Sequence, residues 1–340
     1  MIAIVGGTIT AHAGYTERFA RKLPAGSSPN PVEPAGPAKP VERSPVEPSA
    51  PPSNLPAAGN ASAEVPVTVN QEVINGDRPN KPFIQDILHY NYLLTMAKWR
   101  HKKCFLDETQ TAESFAPECV DKNPQNKPMV LLWGDSNAGS LSPGLRDLQK
   151  VNSFRIAQLT ASGCAPVIGY TLAIRPHCKG INDAILARLA ELKPDTILLS
   201  MHGYWLNPDS LALWQKSIEL IKAASSARII LLGPTPTHIV DPKAYIGRKF
   251  PGIPEIDIPK RVKVDIYPGA ELSEDTFRRM ASAAGIEYIS VFDSLCDADG
   301  CLIRAPYDGS HDDLVQFDTE HLTLAGTRYV MKAIAPAIFK

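Results

Sequence analysis

Short runs of consecutive apolar residues alternate along this chain with longer stretches in which apolar residues recur three and four apart. The runs are MVLLWG (129–134), FRIAQLT (154–160), TILLSM (196–201), RIILLG (228–233) and EYISVF (287–292). Helical periods cover 138–150, 181–193, 208–225, 273–285 and 323–338. A strand that is apolar at nearly every position is buried on both faces. Five such strands separated by amphipathic helices predict an α/β domain with three layers, flavodoxin-like, built on a five-stranded parallel sheet. In such a sheet, ligands gather at the carboxyl ends of the strands. An amphipathic helix over 83–99 leads into the domain, and 104–128 reads as polar loop. The interval 234–270 breaks the alternation with prolines from Pro234 to Pro268. It reads as a long excursion over the carboxyl edge of the sheet, either a flap that touches substrate or a plain surface loop.

The first eighty residues have a different composition. Between Pro24 and Pro66 the chain is nearly all Pro, Ala, Ser, Val, Glu and Gly, and PVEP occurs at 31–34 and again at 45–48. Such a segment has too little apolar surface to offset its ordering entropy, so 24–80 is expected to be a disordered linker. Residues 1–23 begin with the apolar MIAIVGGTITAHAG, which is shorter than the ~20 apolar residues a bilayer span needs. Two readings of it stand. One is a signal-like segment with Ala11-His12-Ala13 as its small-residue end. The other is the remnant of a transmembrane helix, with Arg18, Arg21 and Lys22 just outside the membrane. The folded domain is expected over 81–340. Net charge is −1 with no basic stripe, which argues against a nucleic-acid partner.

Candidate chemistry begins at Trp133-Gly134-Asp135-Ser136-Asn137, where the first strand gives way to a helical pattern. Ser136 there is either a nucleophile on a strand-to-helix turn or a helix cap, since Ser and Asp both cap well. Far along the chain, before the last helix, stand Asp318 and His321, three residues apart. One turn can present both side chains on the same side. A serine hydroxyl needs a neighbouring base to become nucleophilic, and a histidine base needs a carboxylate to hold its tautomer. Ser136, Asp318 and His321 supply that set. Six cysteines, Cys104, Cys119, Cys164, Cys178, Cys296 and Cys301, form no CxxC, so a zinc site is not indicated. The simplest pairing is sequential, 104–119, 164–178 and 296–301, among fifteen formal alternatives. Disulfides would place the domain in an oxidising compartment.

GDS after the first strand and DxxH before the last helix resemble the SGNH (GDSL-type) hydrolase superfamily. VLLWGDSNAGSLSPGL, ASGCAPVIG, HCKGINDAILARLAELKPDTILLS, LCDADGC and FDTEHLTLAGTRYV, in this order, resemble more narrowly the periplasmic SGNH domain fused to bacterial acyltransferase-3 membrane proteins. Those proteins O-acylate surface polysaccharides. The resemblance runs over about 100–338 and includes all three cysteine pairs. It implies Ser136 as nucleophile, His321 as base and Asp318 as its partner, with the N–H groups of Ser136 and Gly163 holding the oxyanion. Two positions depart from the pattern. Asn137 stands where the related domains usually have His. The third strand ends LLSMHGYW without the Asn that the superfamily offers as an oxyanion donor, an absence the fused domains commonly share. Asn137 and His202 are candidates for the missing donor.

The implied reaction is acyl transfer to a cell-surface sugar, such as O-acetylation of a polysaccharide or lipopolysaccharide, through an acyl-serine. No metal or soluble cofactor is expected. The donor would arrive through a membrane acyltransferase-3 domain missing from this chain, and the domain would be periplasmic, tethered to the inner membrane. Two alternatives share the resemblance: a secreted carbohydrate esterase or deacetylase using the same three residues, and a non-catalytic glycan-binding domain. Trp133, Tyr204 and Trp205 are candidate sugar-stacking surfaces.

Overall fold

A computed structural model of the chain describes residues 94–123, 126–205, 207–253, 257–264, 269–307 and 312–340. The apolar segment 1–23, the linker 24–80 and positions 83–93 of the leading helix lie outside these residues. Helix is present over 94–98.

The strands of the central sheet are β1 (Phe105–Leu106), β2 (Met129–Gly134), β3 (Arg155–Ala161), β4 (Thr196–Ser200) and β5 (Arg228–Leu232), joined later by β7 (Glu287–Ile289). Two-residue β6 (Arg261–Val262) precedes β7 and lies elsewhere. Sheet order is β1-β3-β2-β4-β5-β7, and every pairing is parallel. The expected strands are all present in flavodoxin-like order. Among the described residues, however, the sheet has six strands rather than five. The addition is β1, inside the stretch read as polar loop; two residues are too few to show a period. β1 pairs with the end of β3, and Cys104 beside it is bonded to Cys119.

The crossovers are α1 (Ser136–Leu148), α2 (Cys178–Leu192), α3 (Pro208–Ala224), α4 (Pro242–Lys249), α5 (Gly269–Ala284), α6 (Phe292–Leu295) and α7 (Leu324–Ile338). Successive residues of β2 face opposite sides, as the pleat requires. Val130 and Leu132 pack with Ala138, Leu141 and Leu145 of α1 and Val330, Met331 and Ile334 of α7. Leu131 and Trp133 pack with Ile185 of α2, Ile218 of α3 and Phe277 of α5. Two apolar cores on two faces of one sheet make the three layers.

Two expectations change here. The interval 234–270 is not plain loop, because it contains α4 and β6. Asp241 caps α4 through the N–H groups of Lys243 and Ala244, and Pro242 occupies the first helical position, where its missing N–H costs nothing. The run EYISVF is strand only to Ile289, because α6 takes over at Phe292. Short strand β9 (Gly300–Leu302) lies between β6 and β8 (Cys296–Asp297) and pairs with both, and β10 (Arg304–Pro306) pairs with β11 (Asp312–Leu314). These carry the chain to α7. The disulfides are Cys104–Cys119, Cys164–Cys178 and Cys296–Cys301, the sequential pairing. Among the described residues no helix is long and apolar enough to cross a membrane.

The contact that positions the site is α1 against α7. Pro143 lies inside α1 and cannot donate to the Gly139 carbonyl four residues back. Ser142 Oγ donates to that carbonyl instead, at 2.8 Å. Next to it, Gly144 lets the two helix backbones approach closely. A Cβ on Gly144 would lie 2.4 Å from the backbone oxygen of Thr327. Alanine is intrinsically the better helix former by ~1 kcal/mol, so Gly144→Ala separates propensity from packing. The expected outcome is a loss of about 1–3 kcal/mol, read from the urea unfolding midpoint. A gain in stability would mean that the close approach is not a constraint.

Candidate active site

Ser136 is the first residue of α1, and the residue that caps this helix is Asp135. The Asp135 carboxylate accepts the N–H of Asn137 at 2.8 Å through Oδ1 and the N–H of His202, just past β4, at 2.8 Å through Oδ2. The alternative of Ser136 as cap is thereby answered: its hydroxyl is free for another partner. Asp135 is 0% exposed. Burial raises its pKa above the ordinary carboxylate value, although the N–H of His202, the His202 ring and the N–H of Asn137 pull it down. Gly134 makes this junction sterically feasible, because a Cβ there would lie 1.7 Å from the Ser200 carbonyl. That carbonyl accepts the N–H of Asp135 at 3.3 Å.

Ser136 Oγ lies 2.9 Å from His321 Nε2, and His321 Nδ1 lies 2.7 Å from Asp318 Oδ2. A carboxylate only accepts, so the proton is on Nδ1 and Ser136 donates to Nε2. The other oxygen of Asp318 accepts the N–H groups of His321 at 2.7 Å and Glu320 at 2.9 Å. This ties Asp318 and His321 into a single turn, as their spacing suggests. Burial disfavours a charged His321, but the hydrogen bond and charge of Asp318, then Glu320 and Asp135, outweigh it and raise its pKa above the ordinary imidazole value. Burial alone would raise Asp318; its contacts with His321 and the two N–H groups hold it lower.

The remaining expected positions divide. Gly163 is buried directly beyond β3, at φ +62°, where glycine is favoured. Its neighbour Cys164 is bonded to Cys178 at the start of α2. The N–H groups of Gly163 and Ser136 have no acceptor among the described residues. Asn137 turns inward. Its backbone N–H goes to Asp135, its side-chain oxygen lies 2.8 Å from Thr235 Oγ1, and its amide nitrogen is buried without a partner among the described residues. The His202 ring meets Thr237 at 3.0 Å and Glu320 at 2.7 Å. Trp133 is core, with Nε1 donating to Asn182 at 2.8 Å. Tyr204 is 75% exposed, and the side chain of Trp205 is not among those described.

Sequence reasoning missed the walls. The Trp99 ring is 5.6 Å from His321 and is 2% exposed; Phe317 stacks on His321 at 5.7 Å. The segment after β5 braces the loop that carries Asp318 and His321. Thr235 Oγ1 donates to the Glu320 carbonyl at 2.6 Å, the His238 N–H donates to the Thr319 carbonyl at 2.8 Å, and Gln316 Nε2 donates to the Pro236 carbonyl at 2.8 Å. Trp99 ends a recognised amphipathic pattern, so its burial was legible. Its neighbour 222 positions away was not.

The family model of the SGNH domain fused to AT3 domains matches residues 103–336. The chain belongs to this family. No curated protein matches the sequence. Among solved structures, the periplasmic domain of a lipopolysaccharide acetyltransferase from Salmonella ser. Paratyphi A is similar. It shares 22% identity over 76% of this chain and 98% of that one, with TM-score 0.61. A carbohydrate acetylesterase from Sinorhizobium meliloti is similar at 15% identity over 62% of this chain and 98% of that one, with TM-score 0.39. The first likeness is one of fold: an SGNH domain with its sheet and helices in the same arrangement.

Asp135 is the part of the SGNH site whose loss should be felt in the fold itself. Asp135→Ala leaves two N–H groups without their acceptor in a buried place. The expected cost is about 1–3 kcal/mol for each, measured by chemical unfolding. Wild-type stability in this variant would show that water or another acceptor replaces the carboxylate without loss.

Proposed function

We propose that this SGNH domain is a serine-dependent O-acyltransferase that moves an acyl group, acetyl in the first instance, onto a hydroxyl of a bacterial cell-surface glycan. The observation that carries the reading is the continuous set of hydrogen bonds from Ser136 Oγ to His321 Nε2 and from His321 Nδ1 to Asp318, in a family whose members are fused to AT3 domains. His321 takes the Ser136 proton as Oγ attacks the acyl carbon, and Asp318 stabilises the imidazolium that forms. The proton then passes to the leaving group. An acyl-serine remains, and the incoming sugar hydroxyl repeats the sequence in reverse, with His321 again the base. The N–H groups of Ser136 and Gly163 stand at the carboxyl ends of neighbouring strands and supply oxyanion donors.

The partner in this reading is an AT3 membrane domain that hands the acyl group across, and the glycan is the acceptor. Three closed disulfides favour an oxidising compartment, the periplasm. The domain spans 81–340 in this reading, and 24–80 links it to the membrane side. With water as acceptor the same residues make an esterase, so the acceptor decides between the two activities.

The test is acetylation by 4-nitrophenyl acetate, followed by nitrophenolate release and intact-protein mass. Ser136→Ala is expected to lose the acetyl adduct and to lower kcat/KM by on the order of 1,000-fold or more. An adduct of equal size in Ser136→Ala would overturn the assignment. A transfer assay with a glycan acceptor separates transferase from esterase.

Acidity gives a second check. His321 acts as base only when neutral, and its pKa is raised. Activity should therefore climb as pH rises through a midpoint above the ordinary imidazole value of about 6.5. Asp318→Asn removes the largest contact that holds the charge, and should move that midpoint down as well as lowering the rate. A midpoint unmoved by Asp318→Asn would place another group in control of the limb.

A further inference from the structure

Glu320 lies between Asp318 and His321 in the sequence but takes no part in the hydrogen bonds that join Ser136 to Asp318. Its backbone is fixed at both ends: the N–H donates to Asp318 at 2.9 Å and the carbonyl accepts Thr235 Oγ1 at 2.6 Å. Its carboxylate is held from one side. Oε2 lies 2.7 Å from His202 Nε2. His202 Nδ1 accepts the N–H of Tyr204 at 3.1 Å, so Nε2 carries a proton and points it at Glu320, with Thr237 Oγ1 3.0 Å from the same nitrogen. His202 is in turn fixed by the grip of Asp135 on its backbone.

The other oxygen, Oε1, is 3.7 Å from His321 Nε2, the nitrogen that meets Ser136 Oγ. It accepts no hydrogen bond among the described residues, and the side chain is 28% exposed. Burial and the charge of Asp318 raise its pKa, but the hydrogen bond and charge of His202 and the charge of His321 outweigh them and hold it below the ordinary carboxylate value. A fixed anionic acceptor with a free oxygen, open to solvent beside the base, suits a hydroxyl donor. Water has a single oxygen to place there. A sugar has a second hydroxyl at a set distance from the one that reacts.

We propose that Glu320, oriented by His202, is the acceptor-binding residue of this site. Its Oε1 accepts a hydrogen bond from one hydroxyl of a vicinal diol and thereby sets the adjacent hydroxyl at His321 Nε2, facing the acyl-serine. The inference rests on the reading of Ser136 as acyl carrier. The adjacent hydroxyl oxygen attacks the acyl carbon and gives its proton to His321 Nε2. The tetrahedral intermediate breaks its bond to Ser136 Oγ, which regains the proton from His321. Glu320 takes up no proton.

The test uses the full chain, 4-nitrophenyl acetate as donor and two probe acceptors, ethane-1,2-diol and 2-methoxyethanol. The second probe has an ether oxygen where the first has its second hydroxyl. For each, the acetyl ester formed is compared with free acetate, which measures how the acyl-enzyme divides between alcohol and water. This ratio is independent of how fast Ser136 is acylated. The wild type should favour the diol by roughly 10-fold or more, the size of one hydrogen bond to a charged group. Glu320→Gln should bring the two probes close to parity while Ser136 still becomes acetylated, at a rate altered by the charge lost beside His321. His202→Ala, which frees the carboxylate to move, should weaken the preference in the same direction.

An unaltered diol preference in Glu320→Gln overturns the subsite and leaves the acyl-serine reading standing. Absence of acetyl-Ser136 in the wild type overturns both. Loss of acetylation together with a lowered unfolding temperature in Glu320→Gln makes the residue a structural brace, and overturns the subsite as well.

Discussion

A buried carboxylate fixes how three parts of this molecule meet: the end of β2, the first turn of α1 and the chain leaving β4. Asp135 stands where β2 becomes α1, and its two oxygens are used on the first turn of α1 and on the chain leaving β4. Removing a charge from water is costly unless hydrogen bonds replace the lost hydration. Backbone N–H groups replace it here, and they lie at fixed positions because the sheet and the helix fix them. The same carboxylate therefore frees the serine beside it from capping and sets the position of His202. Gly134 is the sequence counterpart of this arrangement, since no side chain fits against the Ser200 carbonyl.

The hydrogen bond between Ser136 and His321 joins residues 185 positions apart. Three features set its length. The α1–α7 packing, with Gly144 against Thr327, fixes the two helices. Asp318 folds its own turn around His321. Thr235, His238 and Gln316 then fasten that turn to the segment beyond β5. Thr235 touches both halves, through Asn137 on one side and Glu320 on the other, and His202 does the same through Asp135 and Glu320. In this chain the side-chain oxygen of Asn137 packs against the Thr235 brace.

Much of this was legible in the residues because it is local or periodic. Runs such as MVLLWG and TILLSM can be little other than buried parallel strands, and the order of strands follows from helical crossovers. GDS and DxxH each carry their geometry within one turn. The sequential disulfides close short loops. What escaped was either too short for a period or dependent on a distant partner. Phe105 and Leu106 form an edge strand only because the edge of β3 away from β2 lies beside them. α4 had an available sign in Asp241-Pro242, but the surrounding prolines read as breakers. Trp99 and Glu320 look ordinary in sequence. Their roles exist only once the sheet brings them beside His321.

Trp99 lies ahead of residue 103, where the family signature begins, yet its ring covers one side of the histidine. The unit that is recognisable by descent is thus smaller than the unit that is complete as a solvent-excluding enclosure. A domain trimmed to the signature would keep every strand of the sheet and all three groups of the hydrogen-bonded chain. It would also open His321 to water from behind, lowering the effective field of Asp318 on the imidazole. Evolution can therefore adjust the basicity of this site through a stretch of chain that alignment would assign to the connection between domains.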